Sequence, residues 1–111
     1  MAQAFIETNI FSKCWSELGL DDESLRAMQS YIVKNPSAGK VIKGTGGLRK
    51  LRWNLSDTGK SGGIRALYVH FIQHEKIFLI NCYGKSKKDT ITDKEKAIYK
   101  ALIDAIKEEL Q

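Results

Sequence analysis

Hydrophobic positions along the chain change period several times, and each change marks an element. Residues 3–7 read as a short first strand. Ile10, Phe11, Cys14, Trp15 and Leu18 then recur at helical spacing, with Thr8 or Asn9 as N-cap and Gly19 as the stop. Asp21 opens a second helix that turns Leu25, Met28 and Ile32 to one side. Asp22 and Glu23 sit in its first turn, where the helix dipole favours acids, and Pro36 closes it. Residues 37–47 read as a loop ending in "GTGG".

The period then falls to two. In "LRKLRWNL", Leu51, Trp53 and Leu55 share one face and Lys50, Arg52 and Asn54 the other, as in a half-buried strand with a basic outer face. "IRALYVHFI" and "KIFLINCY" are apolar on both faces and belong in the centre of a sheet, joined by a tight turn at His74-Glu75-Lys76. A last helix begins with the capping box Thr92-Asp93-Lys94-Glu95 and is expected to bury Ile98, Leu102 and Ile106, flanked by Tyr99, Ile103 and Leu110. The order β-α-α-β-β-β-α, with short connections between the three later strands, predicts an α+β fold. It is an antiparallel sheet with two N-terminal helices and a C-terminal helix, packed on one side. No repeat or linker divides residues 1–111, which are expected to form a single domain.

Charge changes the picture more than composition does. Residues 40–88 carry eleven basic and two acidic side chains, whereas the flanking segments are both net acidic. A basic middle in an otherwise acidic chain points to a polyanion, with nucleic acid the favoured partner. No segment has the length of a membrane span or the pattern of a secretion signal, so no membrane partner and a cytoplasmic location are expected. Cys14 and Cys82 fall in a helix face and a strand, which predicts free thiols.

Two Gly-Lys-Ser triplets, Gly59-Lys60-Ser61 and Gly84-Lys85-Ser86, invite a phosphate-loop reading, but the required upstream glycine is Asn54 in one case and Leu79 in the other. The first triplet also leads into a strand where a phosphate loop would open a helix. His70 and His74 have no carboxylate or cysteine at ligand spacing, and no serine nucleophile motif is present. Neither a metal nor any other cofactor is expected. What remains is a set of cations on strands: Lys50 and Arg52, then Arg65, then Tyr83, Lys85 and Lys87, with Arg49, Lys60 and Lys88 as further contacts for RNA. If the three strands are neighbours, these groups converge on a phosphodiester, with Arg65 solvent-facing beside Lys50 and Arg52 and with Gly62-Gly63 letting the backbone approach the ligand closely. RNA supplies its own nucleophile, the 2′-OH. The protein need only accept a proton, stabilise charge on phosphorus and protonate the leaving oxygen. Arginine offers a planar fork for phosphate oxygens, and a lysine beside other cations becomes a usable base. A surface that grips RNA without cutting it would carry the same residues.

"GTGGLRKLRW", "GGIRALYVHF" and "YGKSKKDTITDKE", in that order before a final helix, resemble the toxins of the RelE/ParE superfamily, in its HigB-like branch. The resemblance implies a toxin of a type II toxin-antitoxin system: an mRNA endonuclease that works in the ribosomal A site without a metal. It also implies a co-expressed antitoxin, HigA-like with a helix-turn-helix, through which alone the pair meets operator DNA. By that resemblance Lys50, Arg52, Arg65 and Lys85 match basic site positions. Ser86 stands where relatives have an arginine, and their C-terminal tyrosine has no counterpart, leaving Tyr83 and Lys87 as candidates for acid and base. The same fold includes ParE-like poisons of DNA gyrase, so gyrase and a non-catalytic RNA-binding role stand as alternatives.

Overall fold

The computed structural model describes residues 3–54, 63–84 and 90–111. Its elements are β1 (Ala4–Glu7), α1 (Asn9–Glu17), α2 (Asp22–Lys34), β2 (Lys40–Val41), β3 (Arg49–Trp53), β4 (Ile64–Phe71), β5 (Lys76–Gly84) and α3 (Asp93–Leu110). The five strands form one sheet in the order β1-β5-β4-β3-β2. The α+β class is as expected. Strands β2 to β5 are antiparallel, while β1 runs parallel to β5 at the edge. That parallel contact, between residues some seventy positions apart, left no local signal in the sequence. The two-residue β2 lies inside the expected loop.

Local chemistry sets the helix ends. The Thr8 side chain accepts from the Phe11 N–H, Asp21 accepts from Ser24, and Thr92 and Glu95 complete a reciprocal capping box. In the loop before β3, Gly44, Gly46 and Gly47 all have positive φ, a region that L side chains rarely enter. The buried Thr45 between them bridges the loop: its hydroxyl donates to the Ile42 carbonyl and accepts from Leu48 N–H.

The helices do not share one side, as the sequence reading had them. Alternate residues of β4 enter two cores. Ile64, Ala66 and Tyr68 pack with Phe11, Trp15, Leu25, Met28 and Ile32 of α1 and α2. Leu67 and Val69 pack with Leu48, Ile80, Ile91 and Ile103 on the α3 face. This explains why β4 and β5 are apolar on both faces. The cysteines are free thiols, and burial pushes the Cys82 thiol up to about 12.

Helix α3 is turned from its expected orientation. Ile103 is fully buried, and Tyr99 and Ile106 pack beside it, whereas Ile98 is 60% exposed and Leu102 38%. Two overlapping apolar stripes run along this helix, and the one containing Tyr99 and Ile103 faces the sheet. Ile98 and Leu102 instead line an apolar groove of about 550 Å³ shared with Ile10, Ile80 and Asn81.

Candidate nucleic-acid site

The β-sheet register assembles the cations. Arg52 of β3 lies directly opposite Arg65 of β4, and Arg65 lies directly opposite Tyr83 of β5. Cross-strand partners point to the same face, so Arg52, Arg65 and Tyr83 form one row on the α3 side of the sheet. The neighbouring row on that face is Lys40, Lys50, Leu67 and Asn81. Leu67 is buried in the α3 core, which fixes the identity of the face.

Each row holds two like charges in direct opposition, Arg52 against Arg65 and Lys40 against Lys50. Side chains so placed have Cβ atoms about 4.5–5.5 Å apart, and like charges there destabilise a sheet. The arrangement suits a surface built to receive an anion. Lys40 was not singled out by sequence reasoning, because its strand is too short to show an alternation.

The cations differ in exposure. Arg52 is exposed and Lys50 half-buried, but Arg65 is only 3% exposed. The sequence reading treated Arg65 as solvent-facing; it is enclosed because it sits on a central strand, flanked by β3 and β5. Neither Lys50, Arg65 nor Tyr83 is without a partner inside the protein. A buried charge must be held by its surroundings, so Arg65 is fixed in place and Arg52 is the more open of the pair.

Arg49 does not join this set. It is opposite Tyr68, on the face of α1 and α2, and its guanidinium donates to the Gly39 carbonyl at 2.7 Å and the Ser37 carbonyl at 3.4 Å. Its geometry is that of a brace for the chain entering β2. Lys60, Lys85, Lys87 and Lys88 lie outside the described residues.

Tyr83 reaches the row through a β-bulge. The pairing runs Tyr68 with Leu79, then Leu67 with Asn81, so Ile80 is the extra residue. With unbroken alternation Cys82 would face Arg65 and Tyr83 would enter the α1/α2 core. Instead Cys82 is buried in that core and Tyr83 packs at the margin of the other. The run "FLINCY", apolar on both faces, gave no warning of this.

Gly63, immediately before β4, is required for strand approach. A Cβ there would come within 2.7 Å of Asn54 Oδ1 and 2.9 Å of the Trp53 carbonyl. The sequence reading assigned this glycine to ligand access; its close neighbour is the partner strand.

The histidines are apart from this chemistry. Burial first, and then the charge of Arg49, hold His70 below the ordinary value, so it is neutral at pH 7 and adds nothing to the cationic set. Among the described residues no three potential metal ligands cluster, and no helix is long and apolar enough to cross a membrane. The groove beside α3 is not lined by Arg52 or Arg65. The accessible cations of the two rows, Arg52, Lys40 and the half-buried Lys50, lie along an open sheet face, which suits an extended polyanion better than a small enclosed ligand.

Known proteins bear on this arrangement in two ways. In fold, the chain is similar to a double arginine-to-alanine mutant of the E. coli toxin RelE in the free state. The TM-score is 0.56, at 21% identity over 78% of this chain and 86% of that one. In sequence, residues 5–110 match the family described as the RelE toxin of the RelE / RelB toxin-antitoxin system. That match takes in every described element but the first residue of β1, including both cationic rows, and the chain belongs to the RelE toxin family.

Proposed function

We propose that this toxin inhibits translation by cutting mRNA on the ribosome, with the 2′-OH of the RNA as nucleophile and no metal ion. The observation that carries the proposal is the row Arg52–Arg65–Tyr83, in which two opposed cations stand beside a phenol on a rigid central strand. In the reaction the 2′-oxygen attacks the adjacent phosphorus as its proton passes to a base. The bond from phosphorus to the 5′-oxygen breaks, that oxygen takes a proton, and a cyclic 2′,3′-phosphate remains. Charge builds on the non-bridging oxygens, where Arg65 and Arg52 can hold it. Tyr83 is a candidate for one proton transfer, with Lys50, Lys85 and Lys87 the candidates for the other. Lys40 and Lys50 extend the grip along the backbone, and Lys60 and Lys88 are further RNA contacts.

The cognate antitoxin is the protein partner that family membership implies. The motifs around residues 40–90 favour the HigB-like branch, and with it a HigA-like helix-turn-helix antitoxin that carries the pair to operator DNA.

Controlled expression of the chain alone is expected to arrest bacterial growth, and purified protein to cut mRNA on ribosomes but not free mRNA. Steady growth with intact soluble protein accumulating would overturn the reading. Arrest with uncut mRNA and inhibited DNA supercoiling would assign the chain to the gyrase-directed members of the fold.

Cleavage is also expected to survive a chelator, at a concentration that leaves ribosomes intact. Arginine and lysine cannot ligate a hard cation, and the row offers no carboxylate. Loss of cutting in EDTA, restored by a divalent ion at constant ribosome integrity, would refute this chemistry.

A further inference from the structure

The bulge in β5 is held by side chains that the chemistry above does not use. The carbonyl of Ile80, the extra residue of the bulge, accepts from the Thr8 hydroxyl at 2.7 Å. That same hydroxyl accepts from Phe11 N–H, so the cap of α1 and the closure of the bulge share one oxygen. The Cys82 N–H donates to Asn81 Oδ1 at 2.8 Å. A backbone N–H can only donate, which fixes the orientation of the Asn81 amide and turns its Nδ2 outward as a donor. Nδ2 reaches the Tyr99 hydroxyl of α3 at 3.1 Å.

We infer that Asn81 is a positioning residue that locks the β5 register so that Tyr83, and not Cys82, stands opposite Arg65. The inference deepens the reading of that row as the RNA-cutting site. Asn81 acts in two ways. It satisfies the amide and bridges to α3 in the bulged register. In the unbulged register it would lie opposite Ala66, among the apolar residues of the α1/α2 core, where its amide would be desolvated. A one-residue slip would turn every later side chain of β5 to the other face, which brings Cys82 to the row and hides Tyr83. A polar side chain at position 81 therefore supports the working register and penalises its competitor.

The thiol makes the register visible without any assay of RNA. In the bulged register Cys82 is 1% exposed. Slip moves it out of the α1/α2 core to the row. The test uses full-length protein in a Cys14→Ser background, with the labelling rate of Cys82 by a small thiol reagent and ribosomal mRNA cleavage measured on each variant. Asn81→Asp keeps an acceptor for Cys82 N–H and one for the Tyr99 hydroxyl. It is expected to stay within about threefold of the parent in both rates. Asn81→Leu keeps the volume, loses both bonds and is at home in the apolar core. It is expected to cut at least tenfold more slowly, by a fall in kcat, and to label at Cys82 at least tenfold faster, with its circular dichroism unchanged.

Asn81→Leu that cuts normally, or that loses cutting while Cys82 stays as protected as in the parent, overturns the inference. If Asn81→Leu does not fold, Thr8→Val, which withdraws the hydroxyl from the Ile80 carbonyl, takes its place with the same two expectations. If the parent cuts no RNA, the endonuclease reading fails, and Cys82 labelling still decides the register: acceleration only in the leucine or valine variant upholds it, and protection throughout overturns it.

Discussion

Arg65→Ala is expected to slow ribosomal mRNA cleavage by about 10²–10³-fold, the usual consequence of removing one donor aimed at developing charge. Because Arg65 is 3% exposed, the same substitution must also cost stability. The stem of the side chain is packed, and its truncation leaves a void and unpaired groups. Part of that cost is offset by relief of the repulsion from Arg52 across the strand. An alanine variant alone therefore cannot separate a site residue from a structural one. Arg65→Met can, since it keeps length and apolar volume and removes only the fork and the charge. It is expected to melt closer to the wild type than Arg65→Ala does and to cut as poorly. Arg65→Lys should recover part of the rate, because an ammonium keeps the charge and loses the planar pair of donors. The checks are melting temperature and single-turnover cleavage on ribosomes, measured for all three. Arg65→Met that cuts at near the wild-type rate would remove Arg65 from the site.

Local rules account for what could be read from the chain. Thr8, Asp21 and Thr92 are caps because a short oxygen acceptor precedes each helical run, and this depends on a few adjacent residues. Leu51 and Trp53 against Lys50 and Arg52 is a clean alternation, so the basic face of β3 was legible. Strands β4 and β5 were recognisable as central but mute about face, since apolar residues on both sides erase the period. Nothing in such a run shows that Arg65 is enclosed or that Ile80 forms a bulge. In α3 the sequence carries two apolar stripes, and only packing against the sheet selects Ile103 over Ile98. Lys40 joined the cations through a two-residue strand whose pairing depends on distant contacts. The site was thus legible as a set of residue types; the register that assembles it was not.

One of those distant contacts should be among the most sensitive points of the fold. Tyr68 is fully buried, and its hydroxyl donates to the Pro36 carbonyl at 2.7 Å and accepts from Gly39 N–H at 3.1 Å. Burial raises its ionisation above the ordinary phenol value, so the hydroxyl remains a donor at neutral pH. Gly39 is tight against it: a Cβ there would lie 2.9 Å from the Tyr68 ring and 3.2 Å from Arg49 Cβ. The Arg49 guanidinium ties the Gly39 carbonyl from the other side. Together these contacts dock the chain leaving α2 onto the sheet and set Lys40, the next residue, opposite Lys50. Tyr68→Phe keeps the ring and strands two backbone groups, a loss of about 1–3 kcal/mol. For a chain of this size that lowers Tm by roughly 5–15 °C. With β2 less firmly held, Lys40 contributes less to the grip on RNA, so KM should rise severalfold while kcat changes little. Gly39→Ala attacks the same contact from the other residue. Its effect should be less than additive with Tyr68→Phe, because both disrupt one docking. Calorimetry with amide exchange at Gly39 provides the check. A Tyr68→Phe protein that melts within a degree of the wild type, with Gly39 as protected as before, would show that β2 is held by something other than this hydroxyl.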